Sequence, residues 1–85
     1  MYFVYILKSK KDSSLYCGYT KDIGARLEEH NRGNVTYTSS RKPWNLIYYE
    51  AFQSLDDAID REQKLKKFGK AYGQLKRRIK RSLNI

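Results

Sequence analysis

Glu62 is the most informative position in the chain. It falls at i+7 on a helical stripe whose other members are Leu55, Ala58, Ile59 and Leu65, at i, i+3, i+4 and i+10. A carboxylate on an apolar stripe loses hydration, which is costly unless a cation compensates it. The cation can be a neighbouring Arg61 or Lys66, in an ion pair that bends outward. It can also be a hard divalent metal such as Mg2+, which is commonly held by one or two carboxylates while water and substrate phosphate fill its other positions. Arg26 and His30 form a second constellation. They follow Ile23 at i+3 and i+7, on or beside the inward stripe of an earlier helix. An arginine held near such a face suits bidentate phosphate binding; the plainer alternative is a salt bridge to Glu29 at i+3. A lone histidine at a helix end is more often a cap or a core residue than a catalyst, and Arg26 one turn away shifts that weighting toward chemistry. Tyrosine is abundant, at eight residues against three Phe and one Trp. Its commonest use is packing with the hydroxyl at a wet edge. Tyr5 and Tyr16, however, sit on successive strands and can project from one face. A phenol of ordinary pKa about 10 is a weak base at neutral pH and needs a nearby cation to serve as one. Arg26 and a metal at Glu62 are candidates for that cation.

The elements that must position these residues are legible from their patterning. Tyr2 to Leu7 is β-branched and aromatic and reads as a buried strand; Leu15 to Thr20 reads as a second, joined through a polar turn in a hairpin. Gly18 inside the second strand implies a close approach to the backbone. Asp22 is placed to cap a helix running to about Asn31 and ended by Gly33. Residues 33–43 read as a polar loop holding the single proline, Pro43, and Trp44 to Phe52 reads as the third strand. Ser54 with Asp57 resembles a capping box before the Glu62 helix. Gly69 and Gly73 are expected to mark a break, followed by a basic helix over about 70–83 with Tyr72, Leu75, Ile79 and Leu83 on one side. The order β-β-α-β-α-α predicts an α+β fold, a three-stranded antiparallel sheet flanked by helices.

Composition bounds the partners. A chain of 85 residues holds one small domain. No apolar run approaches the roughly 20 residues of a membrane span, and no basic segment precedes the first strand as in a signal peptide. One cysteine, Cys17, excludes an internal disulfide, and one Cys with one His is too few for a structural zinc site. A reducing cytoplasm is the expected compartment. The net charge is +9, and residues 61–85 carry ten bases against one acid, whereas residues 1–60 balance at eight each. The dense bases at Lys64, Lys66, Lys67, Lys70, Lys76, Arg77, Arg78, Lys80 and Arg81 point to a polyanion, most simply nucleic acid. A solubilising helix face is the plainer alternative.

Val4-Tyr5-Ile6 followed by Tyr16-Cys17-Gly18, then Arg26, His30 and an Arg61-Glu62 pair before a Lys-rich helix, resembles the GIY-YIG nuclease superfamily. The resemblance covers about residues 2–80 and is greatest to its small single-domain bacterial members. It implies a phosphodiesterase using one divalent ion, Mg2+ or Mn2+, bound by Glu62. It further implies Tyr5 as general base, Tyr16 as a hydrogen-bond partner of the reacting phosphate or water, and Arg26 as the stabiliser of phosphoryl charge. His30 matches a proton shuttle or phosphate contact, and Tyr19 a secondary contact. Two positions depart from the pattern: the first motif reads Val-Tyr-Ile rather than Gly-Ile-Tyr, and Gln74 is the nearest match to an asparagine that many members carry after the glutamate helix. The expected activity is a DNA endonuclease, structure-selective or nicking, with little sequence specificity. The alternative is a non-catalytic nucleic-acid-binding module that keeps the fold.

Overall fold

The apolar run near the N-terminus becomes the middle strand of the sheet. The computed structural model describes residues 1–84; of the single domain expected over 1–85, Ile85 lies outside the described residues. Strand β1 (Tyr2–Ser9) pairs antiparallel with β2 (Leu15–Thr20) on one side and β3 (Trp44–Phe52) on the other, giving the order β2-β1-β3. Both faces of β1 are covered, which is why it reads as a continuous apolar run rather than an alternation. Val4 and Ile6 face a core with Ala58, Leu65, Leu75 and Ile79, from helices packed on that side. Tyr5 and Leu7 point the opposite way, into a second cluster with Trp44, Leu27 and Tyr16. The chain is an α+β fold, as its element order predicts.

Helix α1 (Ile23–Arg32) starts where Asp22 accepts a hydrogen bond from the Ala25 amide at 3.0 Å and stops at Gly33, whose φ of 81° is left-handed. Helix α2 (Leu55–Lys67) begins under a Ser54 cap. The polar segment 33–43 is more ordered than its composition suggests: Thr36–Arg41 forms a short 3₁₀ helix that buries Thr38 completely. Asn31 fastens the end of α1 to the start of β3, accepting from the Trp44 amide at 2.6 Å and donating to the Trp44 carbonyl at 3.2 Å.

The C-terminal segment departs from expectation. In place of one basic helix over about 70–83 there are two, α3 (Gly69–Arg78) and α4 (Lys80–Leu83). The breaks fall at Phe68, which is extended, and at Ile79; Gly69 opens α3 and Gly73 lies inside it. A helical glycine costs about 1 kcal/mol relative to alanine, and here burial of Leu75 and Ile79 in the core overrides that cost. Among the described residues no helix is long and apolar enough to cross a membrane.

Candidate active site

Gly18 makes the site possible. It pairs with Tyr5 across the β1–β2 ladder, and a Cβ built on it would lie 2.6 Å from the Tyr5 hydroxyl oxygen and 3.1 Å from Tyr16. The close approach expected at this glycine is that of the Tyr5 ring. Without a side chain in the way, Tyr5 reaches across the strand, and the Tyr5 and Tyr16 rings stand 6.2 Å apart on one face.

Tyr5 ends at His30. The phenol oxygen lies 3.0 Å from His30 Nε2, and His30 Nδ1 lies 2.7 Å from Thr38 Oγ1. A carbonyl can only accept, so the Thr38 hydroxyl, 3.3 Å from the Val35 carbonyl, is assigned as its donor. With its single proton committed there, Thr38 accepts from His30 Nδ1–H, which leaves Nε2 as the acceptor for the Tyr5 O–H. The positive charge of Arg26 is felt at the Tyr5 hydroxyl. The result is an ordered chain, Tyr5 O–H to His30 Nε2, and His30 Nδ1–H to Thr38.

The charges fit that chain. Burial pushes the Tyr5 hydroxyl up to about 12, and the opposing pull of Arg26 does not restore it, so Tyr5 holds its proton at neutral pH. Burial, followed by the positive charge of Arg26, holds His30 below its usual 6.5, so the imidazole is neutral and ready to accept a proton. His30 is fully buried and Tyr5 nearly so. Arg26 keeps about a third of its side chain in solvent and meets Glu29 at 3.2 Å, the salt bridge weighed from the sequence.

Tyr16 joins this cluster to the carboxylate. One neighbour of its ring is His30, with centroids 5.0 Å apart; another is the Lys66 ammonium, 5.4 Å from the ring centroid. Lys66 in turn meets Glu62 at 3.1 Å. Glu62 is buried, with 11% of its side chain exposed, while Lys66 keeps 46%. Arg61, the other partner weighed for Glu62, turns instead to Glu50 on β3. Burial works to lower the Lys66 amine, but its hydrogen bond and attraction to Glu62 outweigh that and hold it above its ordinary value. The site therefore wraps around the free edge of β2: Tyr5, Tyr16, Arg26 and His30 are on the α1 side, and Glu62 and Lys66 come from α2.

A single divalent ion fits this donor set. Among the described residues no three His, Cys, Asp or Glu side chains converge as a protein-only cage. Mg2+ is commonly held by one or two carboxylates while water and substrate phosphate complete its shell, and Glu62 is one shielded carboxylate of that kind. The Lys66 ammonium already stands beside Glu62 as a cation.

Tyr19 is not brought into either cluster. It pairs with Val4, alternates with Tyr16, and is exposed on the other face of the sheet. The nine basic residues Lys64, Lys66, Lys67, Lys70, Lys76, Arg77, Arg78, Lys80 and Arg81 are all exposed along α2 to α4. Thr38 was not singled out by the sequence. Its segment has no periodicity, and nothing in the run Tyr37-Thr38-Ser39-Ser40 marks which hydroxyl is buried.

A family model of the GIY-YIG catalytic domain matches residues 1–79. A UPF0213 protein of Staphylococcus aureus strain Mu3 is 46% identical over 68 residues, spanning 79% of this chain and 82% of the relative; the counterpart from strain N315 matches equally. The solution NMR structure of a UPF0213 protein from Bacillus halodurans is 40% identical, covering 78% of this chain and 71% of that one, with a TM-score of 0.48.

Proposed function

The chain belongs to the GIY-YIG nuclease family, and from that premise we propose that it is a metal-dependent endonuclease that hydrolyses phosphodiester bonds in DNA with little sequence preference. The observation that supports this most is the ordered Tyr5–His30–Thr38 chain, joined through Tyr16 to a shielded carboxylate. A module that only binds DNA has no use for a buried acid beside a proton-accepting pair, since an acid repels phosphate.

In this reading a water oxygen attacks phosphorus and the bond to the leaving oxygen breaks. The water's proton passes to the Tyr5 oxygen as the Tyr5 proton passes to His30 Nε2, so Tyr5 acts as a base without first ionising. Thr38 holds the imidazole in the required tautomer. Arg26 stabilises the charge gathering on the phosphoryl oxygens, and Tyr16 donates a hydrogen bond to the phosphate or water. Glu62 would hold the divalent ion, Mg2+ or Mn2+, which when bound would supply Lewis-acid stabilisation of the developing phosphoryl charge. The basic residues of α2 to α4 carry the DNA backbone. The cluster lies beside β2, an edge strand of the sheet, to which Tyr16 belongs; the activity proposed is structure-selective or nicking. The test is incubation of plasmid and single-stranded DNA with Mg2+, Mn2+ or EDTA. Cleavage that needs the metal and disappears in Glu62→Ala is expected; binding without cleavage under every metal condition overturns the proposal.

A further inference from the structure

Beside the proton-transfer cluster lies a cavity most of whose lining the proposed hydrolysis does not use. It measures about 490 Å3 and opens at the free edge of β2. Leu15, Cys17 and Leu65 make its floor apolar, while Tyr37 and Tyr72 bring aromatic rings from the 3₁₀ helix and from α3. Tyr16 belongs to both this cavity and the proposed catalytic cluster. Tyr37 is 72% exposed, so core packing does not account for it, yet its ring is held 5.9 Å from that of Tyr16. Each ring also has a cation over it: Arg41 lies 5.2 Å from the Tyr37 centroid, Lys76 4.6 Å from that of Tyr72, and Lys66 5.4 Å from that of Tyr16.

Aromatic faces over an apolar floor, rimmed by positive charge, match an anionic ligand with a flat π-surface. We propose that this cavity is a nucleobase subsite that takes one unpaired base from the strand being cut. The volume lies within the range of small-molecule pockets and accommodates one base. A base stacked within a duplex cannot enter without leaving its neighbours. Substrates with a base already free, such as single strands, flaps, bulges or mismatches, are therefore favoured over perfect duplex. Stacking against tyrosine faces supplies no donor–acceptor code, so the preference is for an unpaired base rather than for a particular one. The placement of that base next to the reacting phosphate rests on the proposed endonuclease function; stacking in the cavity does not.

Binding measured in EDTA, where no metal-dependent cleavage occurs, separates the two. An abasic site is walked through a short single-stranded oligodeoxynucleotide, and a 2-aminopurine is placed at the same positions. At one position the abasic site is expected to weaken binding about tenfold, within the roughly 5- to 150-fold range of a lost base stack, and the 2-aminopurine there is expected to be quenched. Tyr37→Ala, a change at an exposed ring, is expected to abolish both effects, and Tyr37→Phe to retain them. Equal affinity for intact and abasic strands at every position, or Tyr37→Ala behaving as wild type, overturns the subsite. A base-dependent affinity without cleavage under any metal would leave the subsite standing and remove the endonuclease reading. Metal-dependent cleavage that ignores both the abasic site and Tyr37 would do the reverse.

Discussion

Each outer strand of the sheet sits beside a glutamate, a basic side chain and a tyrosine, and the two sets are built differently. Next to β3, Glu50 receives Arg61 through two hydrogen bonds, from Nε at 3.0 Å and Nη2 at 2.9 Å, and a third from the Tyr48 hydroxyl at 2.7 Å. Burial pushes the Glu50 carboxyl up, but the Arg61 and Tyr48 hydrogen bonds outweigh it and hold the group below its ordinary value. Next to β2, Glu62 meets the ammonium of Lys66 at 3.1 Å, beside an open cavity. A guanidinium is a rigid fork that saturates a carboxylate, whereas an ammonium is a movable point charge. The first arrangement latches strand to helix. The second pairs the carboxylate with a single ammonium, which suits the metal-ligand role proposed for Glu62.

The same substitution made at both edges distinguishes them most decisively. Glu62→Gln is expected to lower metal-dependent cleavage by about 10³-fold, the scale of several kcal/mol of lost charge stabilisation. It is also expected to abolish the rise in melting temperature that Mn2+ gives wild type by mass action. In EDTA its stability is expected to stay within about 1 kcal/mol of wild type, because the released Lys66 is half exposed and can return to water. Glu50→Gln is expected to do the opposite: cleavage is kept, and the fold loses about 2 kcal/mol with the charged hydrogen bonds, roughly 10 °C in melting temperature for a domain of this size. Glu62→Gln melting early in EDTA yet still responding to Mn2+ would reverse the assignment of the two edges.

Arg26→Ala comes next, at about 10²-fold in cleavage, as for one lost stabiliser of transition-state charge. Its pair with Glu29 is 33% and 48% exposed, so it contributes little to the fold and the variant should melt near wild type. Unchanged cleavage by the folded variant would remove Arg26 from the phosphate. Binding should also depend on salt. If α2 to α4 contact about five phosphates, log K should fall with log[salt] at a slope of roughly −4.5, and replacing Arg77 and Lys80 with Glu should flatten it. A salt-independent titration would move the binding surface elsewhere.

The histidine provides a pH test. Its folded pKa is held below the ordinary 6.5. The unfolded chain therefore binds a proton that the folded chain refuses, and stability is lost as pH falls through and below about 6.5. Cleavage should fall on the same side, with an acid limb whose midpoint lies below 6.5, because a protonated imidazole cannot accept from Tyr5. An acid limb centred above 6.5 would exclude His30 as the acceptor.

What the sequence made legible follows the range of each signal. The strands, the Asp22 and Ser54 caps and the stop at Gly33 are local, written in period and turn chemistry, and the structure has them. Gly18 announced a close approach, and the structure identifies Tyr5 as its cause. The choice between Arg61 and Lys66 for Glu62 was not legible. It depends on Glu50 being brought beside α2 by strand pairing, and no spacing along one helix encodes that. That α3 runs through Gly69 and Gly73 was hidden for the same reason: Leu75 and Ile79 are drawn to a core shared with Leu65 and Val4, and that overrides two glycines. Thr38 has no periodic pattern at all. Its role exists because Asn31 and Trp44 fold the 3₁₀ helix over the end of α1.

The smallest effect bears on the exchange of partners itself. Lys66→Met keeps much of the side-chain length and removes the cation from Glu62. If the ammonium stands where a metal would be attracted, the two compete, and their pairing must be given up before the ion binds. With its lysine half exposed, the pair is worth on the order of 1 kcal/mol, so Mn2+ should bind Lys66→Met up to about fivefold more tightly. The metal-free variant should be less stable by a similar amount, since a buried carboxylate has lost its neighbour. Mn2+ titrations followed by calorimetry, with melts in EDTA, measure both changes. The corresponding substitution at the other edge, Arg61→Met, should destabilise the fold without creating an Mn2+ site at Glu50, because Tyr48 still donates to that carboxylate and the carboxylate stays packed between β3 and α2. Weaker Mn2+ binding by Lys66→Met would show that the lysine helps to organise Glu62 rather than competing for it, and the contrast between the edges would then lie in Tyr16 and the cavity alone.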